Sequence, residues 1–453
     1  MMSRGFHTVN AGARLVREYE NGIGIDESPA VHWPDPSAHL AATLPVWGLA
    51  AGSVQAFLSA ANRFRRLHGI AAVAHRLDPE RIAASFASDR LLRIDGAPVS
   101  GFAELSGFFP TLDGWIRTHA NYPHHRARLL KALELPADVS VDSVRARTAG
   151  MRGSVVEELA AAEGAIAVRV RTEAEWRTTP QAHAAAAGPL VALSERADRG
   201  NHRPTAGTPL QPLRGVRVVD LTRVIAGPVA TRALSLLGAE VLRIDPPGLP
   251  EIPWQFVDTG QGKRSTLLDL RTDRSHIDAL LDTADVLVTG YRPGALENLG
   301  LTGRAGLVHG RVSAWGETGP WGGRRGFDSI VQAASGISLA EGSSAAPGAL
   351  PAQALDHASG YLLAAGIIDA LAARTTDGIG RDVRVSLART ASWLAAAPER
   401  TPTHPAPTPP STAATVTHGR IRTAAPAPAE YPDYPCPAPD YGRDKPIWTY
   451  RSM

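Results

Sequence analysis

The side chains best suited to covalent chemistry stand in Leu350-Pro-Ala-Gln-Ala-Leu-Asp356-His-Ala-Ser-Gly-Tyr. There Asp356 begins a helical run with apolar positions at Leu362, Leu363, Ile367, Ala370 and Leu371. A helix N-terminus stabilises a carboxylate and keeps it ionised, and an ionised carboxylate can carry an acyl group through a covalent intermediate. Aspartate at such a place is also a common N-cap, and the residues alone leave both readings open. A second carboxylate, Asp328, follows Phe327 in Gly326-Phe-Asp-Ser-Ile-Val-Gln and reads as a structural cap. Basic residues gather at Lys263 and Arg264 in Gly-Lys-Arg-Ser and at Arg292, beside Tyr291, in Gly-Tyr-Arg-Pro-Gly. Taken singly, each reads as solvated surface. Gly260-Gln-Gly262-Lys263 is not a phosphate loop. That motif needs glycine at 257, Ser or Thr directly after the lysine and a helix beyond, where this chain has Val257, Arg264 and a strand. His119, His124 and His125 are not a metal cluster, because Pro123 interrupts helical pairing and no acid lies close by. They read as surface or substrate-facing.

The elements that must position these groups show most clearly in 213–394. Short apolar runs at 216–221, 241–244, 266–270 and 286–288 alternate with helical spacing over 227–237 and 274–281. Apolar strands alternating with helices predict a parallel sheet covered on both faces, with ligands outside the strands' carboxyl ends. Val224 and Ala226 follow the first strand there. Ahead of this block, 1–37 reads as an irregular arm and 38–197 as a mixed segment. Within 38–197 lie a helix over 44–67, a helix start at Asp78-Pro79-Glu80-Arg81 and a turn at Asp95-Gly96. Residues 198–212 read as a linker and 395–417 as a Pro/Thr/Ala-rich linker, disordered or extended. The tail over 418–453 carries Tyr431, Tyr434, Tyr441 and Trp448, too aromatic for a solvated end.

Three stretches carry a family resemblance: Gly215-Val-Arg-Val-Val-Asp-Leu-Thr-Arg-Val-Ile-Ala-Gly-Pro, Leu237-Gly-Ala-Glu-Val-Leu-Arg-Ile-Asp, and Gly290-Tyr-Arg-Pro-Gly-Ala-Leu-Glu-Asn-Leu-Gly. Together with Gly262-Lys-Arg-Ser-Thr-Leu-Leu-Asp-Leu they resemble the family III CoA-transferases, the group of formyl-CoA transferase, L-carnitine CoA-transferase and the α-methylacyl-CoA racemases. The resemblance implies an α/β fold with a Rossmann-like parallel-sheet large domain and a smaller α+β domain. It implies Asp356 as nucleophile, with Val224, Ala226, Lys263, Arg264, Tyr291 and Arg292 binding coenzyme A. It implies no metal or redox cofactor, since the CoA thioester enters as substrate. The partners are then an acyl-CoA, a carboxylic acid and a second copy of the chain in an interlocked homodimer.

The order of the parts departs from the family. A segment over about 105–192, with Asp113-Gly-Trp-Ile-Arg-Thr-His119, Thr179-Pro-Gln and Gly188-Pro-Leu-Val, resembles the family's small domain and C-terminal part, yet it precedes the large-domain block. Permutation, or fusion of two truncated copies, gives such an order. Val46-Trp-Gly-Leu-Ala-Ala-Gly52 loosely echoes Ser359-Gly-Tyr-Leu-Leu-Ala-Ala-Gly366. The family's glycine-rich loop is reduced to Gly101 and Gly107, and phenylalanine holds the place of the racemase branch's proton-transferring histidine, at 327. A racemase and a non-catalytic CoA-binding paralogue stay as alternatives to the transferase.

Composition sets the outer bounds. At 453 residues, 44% hydrophobic and 20% charged, the chain can bury a large core. A net charge of +3 with scattered arginines argues against a nucleic-acid partner. The uncharged run over 41–61 is mostly alanine and glycine and reads as a buried helix rather than a membrane span. One cysteine, Cys436, and no apolar leader fit a cytoplasmic protein.

Overall fold

The computed structural model describes residues 4–26, 31–200, 207–301 and 304–449. It opens with helix α1 (Arg4–Gly22), where the sequence suggests an irregular arm. Ala11, Leu15 and Tyr19 fall at helical spacing and are buried. Their partner is α2 (Val46–Leu67), which supplies the apolar contact that a short helix needs in water. Small residues let the two approach, since a Cβ on Gly48 would lie 2.5 Å from that of Ala11. The first sixteen residues of α2, Val46 to Ala61, belong to the uncharged run, and all of them are buried. No helix among the described residues is long and apolar enough to cross a membrane.

Helix α3 (Pro79–Phe86) starts at Asp78, whose side chain accepts from the amides of Glu80 and Arg81, with Pro79 in the first position. The short helix α4 (Ser88–Leu91) leads to strands β1 (Arg93–Ile94) and β2 (Ala97–Pro98), which turn at Asp95-Gly96 with both φ positive. Strands β3 (Phe108–Thr111) and β4 (Gly114–Thr118), helices α5 (Pro123–Ala132), α6 (Val141–Ala149) and α7 (Gly153–Ala162), and strand β5 (Ala167–Arg169) form a small α+β unit. Its sheet is antiparallel in the order β3-β4-β5, over a core that includes Phe109, Ile116, Leu129 and Val156. A Thr172/Glu175 capping box opens α8 (Glu173–Arg177), and Thr179 with Pro180 opens α9 (Pro180–Ala186).

Strand β6 (Ala192–Arg199) follows. It takes Asp198 and Arg199 out of the expected linker, while 201–206 lie outside the described residues. Its charges pair across the sheet: Arg196 with Asp382 at 3.2 Å, and Glu195 with Arg381 at 3.0 Å.

The main sheet comprises β6 with β7 (Arg217–Leu221), β8 (Glu240–Asp245), β9 (Lys263–Leu267), β10 (Val286–Thr289), β11 (Val308–Ser313) and β12 (Ile379–Ser386). The strand order is β6-β12-β11-β10-β7-β8-β9, with β6 antiparallel and every other pairing parallel. Its helices are α10 (Ala226–Leu236), α11 (Pro253–Thr259), α12 (Arg274–Leu281), α13 (Asp328–Ala334), α14 (Ile337–Ala340), α15 (Ala354–Asp377) and α16 (Leu387–Ala395). The α/β class, with apolar strands wound between helices, is as the sequence implies. α15 is buried over most of its length and packs on α2, α10, β11, β12 and α16. The two stretches that echo one another therefore lie on helices that touch, α2 and α15.

Between the end of α16 and a short 3-10 turn at Thr412–Ala414 the chain has no regular helix or strand and lies against the protein, with the Thr401 amide on the Thr43 carbonyl (2.8 Å) and that of Thr408 on Ala38 (2.9 Å). Strands β13 (Thr415–His418) and β14 (Ile421–Ala424) then join β1 and β2 in a second sheet. Tyr431 and Tyr434 are buried, and Asp444 binds both the amide and the carbonyl of Ser265. The tail thus covers the edge strand β9, whose backbone groups would otherwise stay unpaired.

Gly360 sets the distance between α10 and α15, because a Cβ there would lie 2.6 Å from the Ala226 carbonyl and 2.8 Å from the Val229 side chain. Backbone cannot give way as a flexible side chain can. Gly360→Ala is expected to cost about 1–3 kcal/mol, measured by denaturant unfolding. Wild-type stability in that variant would show that the crossing is not limited by this contact.

Candidate functional site

Asp356 is the third residue of α15, not its cap. Gln353 occupies the cap position and makes no side-chain cap bond. The Asp356 amide instead donates to the Asp328 carboxylate at 2.9 Å. Asp328 is therefore a cap, as the sequence suggests, but of α15 rather than of its own helix. Gln332 holds Asp328 by donating its side-chain amide to it, and the Leu350 amide donates to Gln332 at 2.9 Å. No hydrogen bond or ion pair engages the Asp356 carboxylate among the described residues, although only 6% of the residue is exposed. Burial first, and then the Asp328 charge, push its carboxyl well above the usual range. Asp328 rises to about 6, mainly through burial. This corrects the expectation that the helix end alone keeps Asp356 ionised. Burial, reinforced by the neighbouring Asp328 carboxyl, raises it instead.

The loop from β7 to α10 is fixed from below. Asp220 accepts from the Thr222 amide (2.9 Å), from the hydroxyls of Thr222 and Thr231 (2.5 Å each) and from Lys263 (3.2 Å). Lys263 also donates to the Pro228 carbonyl at 2.8 Å. Burial lowers its ammonium to about 8 against the pull of Asp220. The structure thus commits this expected ligand to the fold beneath the loop. Arg264 is likewise engaged, donating to the carbonyls of Ile447 (2.6 Å) and Lys445 (3.1 Å) in the tail.

Val224 lies in that loop at φ +70°, an outlier for a β-branched residue. Its amide donates to Glu251 at 2.9 Å, and Glu251 also binds Arg243 (3.0 Å) and the Tyr122 hydroxyl. Burial opposes the Glu251 charge, but Arg243 and Arg223 outweigh it and hold the carboxyl below its ordinary range. Ala226 begins α10 and is buried. Neither Glu251 nor Tyr122 is singled out by sequence, because each acts through a partner far along the chain.

Arg292 is exposed and lines a cleft of about 100 Å³ with Trp315, Trp321, Arg324, Arg325 and the stretch from Gly164 to Val168. Arg325 and Arg128 both donate to the Gly164 carbonyl, at 3.2 and 3.4 Å. None of Arg128, Arg292, Arg324 and Arg325 forms an ion pair among the described residues. Burial, then Arg292 and Arg128, lower the Arg325 guanidinium, as expected where cations crowd together. Tyr291, half-buried beside Arg292, packs against the cluster under β7 and β10. Arg324 and Arg325 directly precede the Gly326-Phe-Asp motif, so that motif could have pointed to them.

The small α+β unit forms a wall of the site. The Arg171 amide donates to the Ala333 carbonyl at 3.1 Å. The His119 ring stacks on Phe327 at 4.0 Å, and His125 lies 5.8 Å from the same ring. Both histidines are buried, which corrects the surface reading, and burial drives both toward the neutral form, His125 to about 3. No group suited to a metal ion occurs among the described residues.

Residues 213–424 match the family model described as CoA-transferase family III. The chain is 35% identical over 204 residues to the probable fatty acyl-CoA transferase Rv3272 of Mycobacterium tuberculosis, covering 40% of this chain and 51% of that protein. It is 33% identical over 204 residues to the acetyl-CoA:oxalate CoA-transferase of Acetobacter aceti (40% and 52% covered). It is 30% identical over 197 residues to the formyl-CoA:oxalate CoA-transferase of Escherichia coli (39% and 47% covered). A crystal structure of Rv3272 aligns over 41% of this chain and 57% of that one, with a TM-score of 0.38. The chain spans about half the length of the curated relatives it matches. The matched stretch contains β7 to β12, the loop at Val224, Arg292 and both carboxylates at the start of α15. Over residues 213–424 the chain is thus similar to CoA-transferase family III.

Proposed function

We propose that this chain moves coenzyme A from an acyl-CoA to a carboxylic acid, with Asp356 as the nucleophile. The observation that carries the reading is the Asp356 carboxylate itself: buried, free of hydrogen bonds among the described residues, and fixed through its own amide to Asp328. Ionised Asp356 attacks the thioester carbonyl, the C–S bond breaks, and a mixed anhydride forms with release of the CoA thiolate. The thiolate attacks the aspartyl carbonyl, giving an aspartyl-CoA thioester and the free donor acid. The incoming carboxylate then displaces the thiolate to form a new anhydride. The thiolate finally attacks that anhydride's acyl carbonyl, giving the new acyl-CoA and regenerating Asp356.

The cleft of unpaired cations supports the same reading. Arg292, Arg324, Arg325 and Arg128 suit the phosphates of coenzyme A, for which guanidinium groups are strong partners. Val224 and Ala226 stand at the N-terminus of α10, where backbone amides favour anions, and Tyr291 supplies an aromatic face. Lys263 and Arg264 contribute by shaping β9 and the loop above it. The racemase alternative draws on His119, stacked where Phe327 replaces the expected base. Exchange of the α-proton in deuterated water without any acceptor acid would favour it.

Incubation with acetyl-CoA or a longer acyl-CoA in hydroxylamine should inactivate the enzyme and leave a hydroxamate on Asp356, located by peptide mass spectrometry. Asp356→Ala should lower transfer by at least ~1000-fold. Transfer that survives this substitution would overturn the assignment.

The coupled carboxyls also predict a pH profile. A nucleophile whose carboxyl is raised becomes competent only as pH climbs through the raised value, so acyl transfer to Asp356 should fall on the acid side. Asp328→Asn keeps an oxygen for the Asp356 amide but removes the like charge. It should move the acid limb down by roughly one pH unit, followed by single-turnover rates against pH. An acid limb that stays in place would show that Asp328 does not set the ionisation of Asp356.

A further inference from the structure

Arg117, in β4, is 8% exposed, and its guanidinium forms no ion pair or hydrogen bond among the described residues; Nε in particular is buried without a partner. The group lies between Phe102 and Phe108, 5.1 and 4.8 Å from their ring centres. Three other buried arginines are paired with acids, Arg171 with Glu157 at 2.6 Å, Arg243 with Asp245 at 2.7 Å and Arg374 with Asp285 at 2.9 Å, while Arg65 and Arg232 donate to the carbonyls of Pro209 and Asp258 at 2.8 Å each. A buried cation held only by aromatic faces is costly unless an anion reaches it. Asp328 is near enough for Arg117 to lower its carboxyl, but they form no ion pair.

Two further buried polar atoms lack partners beside it: Nδ1 of His119 and Nδ1 of His125. Both rings are disposed about Phe327, the residue before Asp328. The unsatisfied polar groups of Arg117, His119 and His125 thus collect on the α+β unit where it meets Phe327 and Asp328. In a native fold such a concentration calls for a ligand or water.

We infer that Arg117 is the specificity-determining residue for the acid substrate, binding a second, non-reacting anionic group of a short acid such as a dicarboxylate. The inference rests on the transferase reading, in which a free carboxylate must reach Asp356. A carboxylate clamped on a guanidinium is a weak nucleophile, so the group taken by Arg117 is not the one that attacks. The neutral imidazoles of His119 and His125 supply hydrogen bonds to the same end of the molecule. Alkyl acids of equal length leave all three donors unsatisfied, and sites built for a hydrogen-bonding group reject analogues that lack it.

The test is equilibrium binding of succinate and butyrate to the full chain by calorimetry, in the absence of acyl-CoA. Succinate should bind at least tenfold more tightly than butyrate, and Arg117→Met should abolish that preference. Arg117→Lys, which keeps the charge, should retain part of it and guards against loss of folding in the methionine variant, with circular dichroism as the check. Equal binding of the two acids by wild type, or an undiminished preference in Arg117→Met, would overturn the inference. Exchange of labelled CoA into an acyl-CoA needs no acceptor acid, so it decides the transferase reading separately.

Discussion

The hydrogen bond from the Asp356 amide to the Asp328 carboxylate is the constraint on which the site depends. A helix begins with amides that have no partner inside the helix, and a buried start cannot give them to water. α15 begins in the interior with no side-chain cap from Gln353, so its partner must come from elsewhere. It comes from the first residue of α13, itself held by Gln332, whose side-chain oxygen in turn accepts from the Leu350 amide. The arrangement ties two helices and the intervening loop to one geometry. It also brings a second carboxyl against Asp356, so the group that caps the helix raises the carboxyl of the group proposed to react. Stability and reactivity at this point share one contact.

The second constraint is that the site draws on both halves of the chain. Glu251, at the carboxyl end of the sheet, holds Val224 at its unfavourable φ and accepts from Tyr122 of the α+β unit. A strained residue persists only when its surroundings over-determine it. Here the surroundings are Arg243 and Arg223 on one side and Tyr122 on the other, so the loop's shape depends on docking of the preceding segment. α2 closes the far side by packing along α15. The block from β7 to β12 is therefore not left bare. The parts that come first in the chain supply a wall, a helix partner and a hydrogen bond to the loop.

Much of this was legible in the sequence, and the rest was hidden for a common physical reason. The parallel strands β7, β8 and β10 show as apolar runs because both their faces are covered, whereas β9 spans Lys263–Leu267, a polar stretch that begins three residues before the expected run at 266–270. The helix start at Asp78-Pro79 shows because capping is local chemistry. β6 was obscured because its alternating charges, Ser194-Glu-Arg-Ala-Asp-Arg199, look like solvated linker until Asp382 and Arg381 lie beside them. α1 was obscured because its apolar face is narrow and gains stability only against α2. The Asp356 position could be read, but its ionisation could not, since Asp328 is a distant residue whose carboxylate reaches the helix only in the folded chain.

The cations make the same point in a form that bears on function. Sequence pattern grouped Lys263, Arg264 and Arg292 as one ligand-binding set, but the fold divides them by whether their charge is already answered. Lys263 is answered by Asp220 and a carbonyl under the loop, and Arg264 by Asp444 and the carbonyls of the tail along β9. Arg292, Arg325 and Arg117 form no ion pair among the described residues, although Arg117 is buried and Arg325 partly so. Folding alone gives no reason to bury an unanswered positive charge, because desolvation opposes it. The basic motif therefore does not tell which cations are still unpaired, because that depends on the carboxylates and carbonyls the fold brings to each.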